Sequence, residues 1–430
     1  MRDMLQGRPL ISTEECFFLR NHIMKKKIVI IGAGIEQLYA YELAKKNGYY
    51  VIATDNNPNA PSVKHADYFI LASTRNPQET LESLKAYCKK YGNIDGVMTI
   101  ANDVPYTVAF VANHFNLKGH SVESALLAHD KFLMKKAFKR DRVRCPTFWK
   151  ISTYSQLKKI IFQEKIDRFV IKPIDGRGAR GVLLLNKKID LKWAFKESLS
   201  WSEKKILILE EFISGMQISS ESFLLDGKAY TPALSERNYS RLDEFSPYII
   251  EDGGTIPALV DQSMVGKINK LIEQGAKSMG VDEGIVKGDL VIDNNDEPQI
   301  IELALRLSGG WFASNQIITA SGVDLVDLVM KQALGTKITK EMLTPKINKS
   351  TSVKYWFPKP GKIKHIGGEE DIKNLPGVIK YGFFRKVGDE QPEVKMHPDR
   401  FGFVITEGKD RDESISRVNN ALSLLNIKVV

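Results

Sequence analysis

Asp289 and Glu302 stand on two apolar runs, 286–292 and 299–303, joined by the polar stretch Asp293-Asn294-Asn295-Asp296-Glu297-Pro298. Two such runs with a turn-forming link predict a β-hairpin. With the turn centred between Asn295 and Asp296, Asp289 and Glu302 become direct cross-strand partners, their Cβ atoms about 5 Å apart. Like charges so placed destabilise a sheet unless something positive lies between them. Leu290, Val291, Ile300, Ile301 and Leu303 make the surroundings apolar. Two carboxylates there suit a hard, oxygen-liganded cation such as Mg2+, which shares itself with phosphates and water. The competing reading is an exposed edge hairpin whose carboxylates pair with basic residues, Lys287 and Arg306 being near in sequence. Arg306 leads into Ser308-Gly309-Gly310. An arginine beside a metal carboxylate can stabilise charge on a transferred phosphoryl group, and the glycines can receive an anion through backbone N–H groups. By itself the segment reads equally as a turn with an exposed arginine.

A second cluster begins at Lys172-Pro173 and continues through Asp175-Gly176-Arg177-Gly178-Ala179-Arg180-Gly181. Glycines at alternate positions let the backbone turn sharply and bring N–H groups against anionic oxygens. Lys172 and the two arginines add charge-assisted donors. Phosphate is the natural ligand, and a solvated hairpin tip is the alternative. A third motif, Gly32-Ala33-Gly34-Ile35-Glu36-Gln37 with Asp55 closing the next strand, approximates a dinucleotide fingerprint, but Gln37 replaces its third glycine. A nicotinamide-dependent oxidoreductase is therefore a rival reading.

The elements that position these residues follow from periodicity. Strands are expected at 27–31, 50–54, 68–71 and 96–100, with helices at 36–47 and 78–91. Strand–helix alternation of this kind implies right-handed crossovers and a parallel sheet. The texture then changes: a basic helix over 124–139, a break at Pro146, and strands at 169–172, 181–185, 207–211 and 218–225. A helix over 262–279 with apolar spacing near 3.6 precedes the carboxylate hairpin, and another follows at 324–334. The polar stretch 335–350 reads as a linker, and 351–430 as a last unit of short strands with a closing helix at 413–425.

Lys and Arg number 62 against 52 Asp and Glu, a net charge of +10 that asks for an anionic partner. No basic stripe with interleaved aromatics supports nucleic acid. Lys135, Lys136, Lys139 and Arg140 read as a solvated helix face. No run approaches the ~20 apolar residues of a membrane span. The three cysteines, Cys16, Cys88 and Cys145, are far apart and form no CxxC pair, so neither disulfides nor a zinc ribbon is expected. The histidines show no metal spacing, and there is no Ser/His/Asp or Cys/His arrangement for a protein nucleophile. Residues 1–24 lack the h-region of a secretory signal and read as an extension, the fold beginning near Lys25. A reduced, cytoplasmic protein is expected.

In order along the chain, these elements resemble the ATP-grasp superfamily of carboxylate–amine ligases, over nearly all of 25–430. The resemblance implies an α/β architecture: a Rossmann-like pre-ATP-grasp domain (25–120), an α+β ATP-grasp clamp (121–340, lid about 146–210) and a small C-terminal α+β domain (350–430). The C-terminal motifs, Trp356-Phe357-Pro358 and Arg400-Phe401-Gly402 among them, are similar to those of biotin carboxylases and L-amino acid ligases. It further implies ATP with Mg2+ (Mn2+ as the alternative ion), bound by Lys131, Lys172 and the lid residues Gly176, Arg177, Gly178 and Gly181. Glu210, Glu211 and Ile213 would hold adenine and Gln217 the ribose. Asp289 and Glu302 would be the metal carboxylates, with Arg306 and Lys172 catalytic. The family pattern Glu-x-Asn-x-Arg is here Glu302-Leu303-Ala304-Leu305-Arg306, so Ala304 supplies no ligand. The expected reaction joins a small-molecule carboxylate, such as an amino acid, to an amine through an acyl phosphate, with a homodimer as the assembly the resemblance allows. The rivals are a biotin carboxylase-like, bicarbonate-activating enzyme and a non-catalytic nucleotide-binding protein.

Overall fold

The computed structural model describes residues 25–430, and the expected extension at 1–24 lies outside them. Among the described residues the strands gather into four sheets. The first is parallel, in the order Tyr68–Leu71, Tyr50–Asp55, Lys27–Ile31, Gly96–Met98. Its inner strand Lys27–Ile31 is buried on both faces, as the unbroken run Ile28-Val29-Ile30-Ile31 requires, whereas the edge strand Tyr68–Leu71 is partly exposed. Helix Pro77–Tyr91 begins where Asn76 accepts from the Glu79 amide and Pro77 presets the first turn.

The basic stretch forms two helices, Val122–His129 and Lys131–Arg140, rather than one. Asp130 is the cause. Its backbone is extended, and its carboxylate accepts from the amides of Phe132 and Leu133, capping a new helix whose first residue is Lys131.

A four-stranded antiparallel sheet follows, ordered Phe148–Ile151, Leu207–Glu211, Phe169–Pro173, Leu183–Leu185. Helices Tyr154–Gln163 and Leu191–Ser200 cover it through Leu157, Ile161, Leu191 and Ala194. This unit carries the Gly/Arg loop at its edge.

The largest sheet has nine strands. Its order is Pro298–Ala304, Gly284–Asp293, Gly215–Leu225, Leu234–Asn238, Gly253–Ile256, Ser350–Trp356, Gly402–Gly408, Val378–Phe383, with Lys228–Tyr230 returning onto Gly215–Leu225. Strands beyond residue 350 thus extend the sheet that bears the carboxylate hairpin. Ser350–Trp356 pairs with Gly253–Ile256, and a small three-stranded sheet lies beyond. Helix Gln262–Ser278 covers the carboxylate hairpin with Ile268, Leu271, Ile272 and Ala276, buried with Leu290, Ile300 and Leu303.

Candidate active site

Asp289 and Glu302 are cross-strand partners, as the spacing predicts, but by a different route. The turn is centred on Asn295, with the Asp293 amide donating to the Glu297 carbonyl, so the register near the turn pairs Leu290 with Ile300. A β-bulge at Ile301 adds one residue and restores the opposition of Asp289 and Glu302. The bulge also leaves consecutive side chains, Ile301 and Glu302, lining one cleft. Both carboxylates are already met by cations. Asp289 accepts from Lys287 and, at 2.8 Å, from Arg237; Glu302 lies 3.1 Å from Lys131. Burial works against ionisation of Asp289, yet Lys287 and Arg237 hold its carboxyl well below the usual range. The ion-paired reading of the hairpin is therefore correct for Lys287, whereas Arg306 pairs elsewhere.

The cleft measures about 1170 Å³ and is bordered by all three units. Lys131 heads its helix and donates to the Gly176 carbonyl at 2.9 Å, tying the helix start to the lid loop. Lys172 lies 2.8 Å from Glu210, whose carboxylate is buried at 2% exposure. Lys135, expected on a solvated helix face, is instead 1% exposed, donates to the Ile300 carbonyl at 3.0 Å and stands 3.7 Å from Glu210. Burial disfavours a charged Glu210, and Lys135 and Lys172 more than offset it, leaving the carboxyl below its ordinary range. Glu211, Ile213 and Gln217 also line the cleft. The Glu211 amide donates to the Thr147 carbonyl at 2.9 Å.

In the lid loop Gly178, Ala179 and Gly181 adopt left-handed φ, while Gly176 does not. Arg177 and Arg180 face into the cleft without an ion-pair partner among the described residues. Burial and the nearby Arg75 lower the pKa of both guanidinium groups, an environment that favours an incoming anion. The loop is docked on the C-terminal segment, the His397 amide donating to the Gly178 carbonyl at 3.2 Å.

The far end of the cleft contains residues that sequence reasoning missed. Ile100 and Leu307 form a parallel bridge, which sets Asp103 beside Arg306. Asp103 accepts from Arg306 Nε at 2.8 Å and from Nη2. Glu36 enters from the glycine turn and accepts from the Gly310 amide at 2.8 Å. Gly309 makes that approach feasible, since a Cβ there would lie 2.3 Å from Glu36 Oε2. Arg400 stacks on Tyr355 at 3.8 Å and donates to the Glu251 carbonyl. Glu221, fully buried on strand Gly215–Leu225, accepts from the Ser308 amide, and burial pushes its carboxyl up to about 7. A usable signal existed for Asp103, which follows the end of a parallel strand, where ligands bind in α/β sheets. Arg400 had none. Arg237 and Glu251 also line the cleft, whereas Glu236 pairs with Arg411 at 3.0 Å.

The dinucleotide reading of the Gly32 turn does not fit. Asp55, which would hold a ribose, accepts from the Ala33 and Asn57 amides. Gln37 donates to the Ile100 carbonyl and fills the space beside Gly34. The turn instead delivers Glu36 to the cleft.

Three family models match consecutive stretches of the chain: PylC-like, N-terminal domain over 28–122, ATP-grasp domain over 128–310, and L-amino acid ligase C-terminal domain 2 over 354–430. An ATP-grasp domain therefore occupies residues 128–310, the stretch that bears Lys131, Lys172, Asp289, Glu302 and Arg306, between two smaller segments that match the other two models. Its fold is similar to that of an L-amino acid ligase from Bacillus licheniformis, with a TM-score of 0.81 at 18% identity, covering 94% of this chain and 99% of that one. It is 20% identical over 323 residues to the alanine–anticapsin ligase of Bacillus subtilis (strain 168), covering 69% of this chain and 65% of that protein's length. It is 24% identical over 346 residues to the biotin carboxylase of Pseudomonas aeruginosa, covering 76% and 72%. Among the described residues no helix is long and apolar enough to cross a membrane.

Proposed function

We propose that the chain is an ADP-forming ligase that activates a carboxylate as an acyl phosphate and passes it to an amine, amino acids being the first substrates to try. The observation that carries this is the convergence of Asp289 and Glu302 with Lys131, Lys172 and Arg306 on one cleft. The donor set fits a hard divalent ion: two opposed carboxylates, with room for phosphate and water to complete the shell. Mg2+ held by Asp289 and Glu302, or Mn2+ in its place, would neutralise charge on the phosphates.

The protein's own groups divide the remaining work. Lys131 and Lys172 meet the phosphates, Lys172 leaving Glu210 to do so. Gly176, Arg177, Gly178 and Gly181 close over the triphosphate and keep water from the acyl phosphate. Glu210, with backbone groups of Glu211 and Ile213, receives adenine, and Gln217 a ribose hydroxyl. Arg306, oriented by Asp103, stabilises the phosphoryl group as the substrate carboxylate attacks it. No side chain needs to act as a covalent nucleophile. A cytoplasmic enzyme with small-molecule partners agrees with this reading.

The test is a panel of acid–amine pairs read by ADP and phosphate release. A ligase releases ADP when acid and amine are both present, and hydroxylamine traps the activated acid. Release with bicarbonate and biotin alone would establish the carboxylase reading instead, and ATP binding without turnover across the panel would establish a non-catalytic role.

A further inference from the structure

On the hairpin face that carries Asp289 and Glu302, the residues next in line are a lysine and an alanine. Side chains alternate along a strand, so Glu302, Ala304 and Arg306 share one face, as do Lys287 and Asp289. Lys287 is the direct cross-strand partner of Ala304. Its ammonium rests on Asp289 Oδ2, its side chain is 13% exposed, and it borders the cleft. Ala304, also bordering the cleft, offers a methyl group where a further oxygen donor would stand. Among the described residues no group of three or more His, Cys, Asp or Glu side chains is placed to hold a metal ion.

These positions define how many divalent ions the hairpin can serve. Two carboxylates bring two negative charges; Lys287 already neutralises that of Asp289, while Lys131, 3.1 Å from Glu302, is the cation assigned to turn to the phosphates. Arg237, at 2.8 Å from the other oxygen of Asp289, adds a second fixed cation on that side. One divalent ion can bridge the carboxylates to a phosphate. A second would meet Lys287 and Arg237 as like charges, and Ala304 would give it no oxygen. We propose that this site works with a single divalent ion and that the Lys287 ammonium takes the place of a second one, neutralising phosphate charge next to Asp289. A lysine is a compact point charge that can serve a phosphate in this way. The proposal rests on the reading of the cleft as a nucleotide site.

The experiment counts ions rather than turnover. Calorimetry first measures binding of a β,γ-imido ATP analogue to the full chain. Mn2+ is then titrated into enzyme held in excess over the analogue, and free Mn2+ is read by electron paramagnetic resonance. One tightly held Mn2+ per bound analogue is expected in the natural protein. In the Lys287→Met, Ala304→Asn double variant, which removes the fixed charge and adds an oxygen donor, two are expected. Two tight ions in the natural protein would overturn the proposal on that measurement alone, whether or not the variant folds. A folded double variant that still holds one ion would overturn it as well, as would analogue bound without any Mn2+. Failure of the analogue to bind at all would instead refute the nucleotide reading, and the calorimetry reports that separately.

Discussion

Asp289 and Glu302 face each other across the hairpin but are compensated unequally, so neutralising them should have unequal costs. Asp289 accepts from Lys287 and Arg237 and is 19% exposed; Glu302 meets Lys131 at 3.1 Å and is 27% exposed. Removing one partner of a buried pair costs about 3–5 kcal/mol, because the other charge is stranded. Asp289→Asn strands Lys287, while Arg237 keeps Glu251 at 2.5 Å. A loss near the lower bound, about 3 kcal/mol, is expected. Glu302→Gln leaves Lys131 its bond to the Gly176 carbonyl. Either variant relieves the opposed charges by about 0.5 kcal/mol, so the difference lies in the stranded cation, and the net loss for Glu302→Gln should be about 1 kcal/mol or less. Urea unfolding of the two variants without nucleotide or divalent ions measures the difference as a shift in midpoint at unchanged slope. Lys287 and Arg237 hold the Asp289 carboxyl low against the opposing effect of burial. Its contribution is therefore present above about pH 4 and fades only as the pH falls through its depressed folded value. Both variants should lose ADP release, so Glu302→Gln would be a nearly fully stable, inactive protein. Equal losses of stability, or a larger loss for Glu302→Gln, would refute the assignment of compensating charges.

Arg306→Lys should lower kcat about a hundredfold, because a lysine cannot reproduce the two-nitrogen grip on Asp103 that orients the guanidinium; steady-state kinetics at saturating ATP would show it. Glu221, pushed up to about 7 by burial, takes up a proton on folding, so stability should fall as pH rises from about 4.5 to 7. Glu221→Gln, which has nothing to ionise, should gain on the natural protein by up to about 3 kcal/mol between pH 5 and 8, and a constant difference in urea midpoints would contradict this. Gly309→Ala should cost about 1–2 kcal/mol by driving Glu36 off the Gly310 amide, and the cost should vanish in a Glu36→Ala background. Lys135→Gln should raise KM for ATP about tenfold rather than change kcat, since Glu210 then holds Lys172 against the pull of the phosphates.

Much of the fold is written in local patterns. The runs at 27–31, 50–54, 68–71 and 96–100 are short and apolar, with helical periodicity at 36–47 and 78–91 between them, and they form the parallel sheet that such alternation implies. What local pattern does not carry is how distant segments add to a sheet. Residues 351–430 read as a separate unit because the polar stretch before them looks like a linker. Yet Ser350–Trp356 finds its partner in Gly253–Ile256, nearly a hundred positions earlier, a pairing settled by burial of Val353 and Tyr355 rather than by any turn signal. The break at Asp130 was legible in principle, since an aspartate before a lysine-rich helix is a strong cap. Uninterrupted apolar periodicity across it hid the stop.

The site divides along the same line. Asp289 and Glu302 were legible because a hairpin ties them by short-range geometry, and the pairing survived an error in the turn because the bulge at Ile301 offset it. A regular hairpin about the observed turn would have set Asp289 opposite Ile301, so the opposition of the two carboxylates depends on one irregular residue that spacing cannot reveal. Lys135 shows a different limit. It lies one turn beyond Lys131 on the same helix face, which was a readable hint, but only the approach of Glu210 and the Ile300 carbonyl makes a buried ammonium tolerable there. Asp103, Glu36 and Arg400 come from three separate segments and meet Arg306, Gly310 and Glu251. Each contact joins one folding unit to another, so this end of the cleft, to which the proposed function assigns the acid and the amine, is built from tertiary contacts. Chemistry common to a whole superfamily can be encoded in hairpins and loops, whereas substrate choice depends on where three units meet.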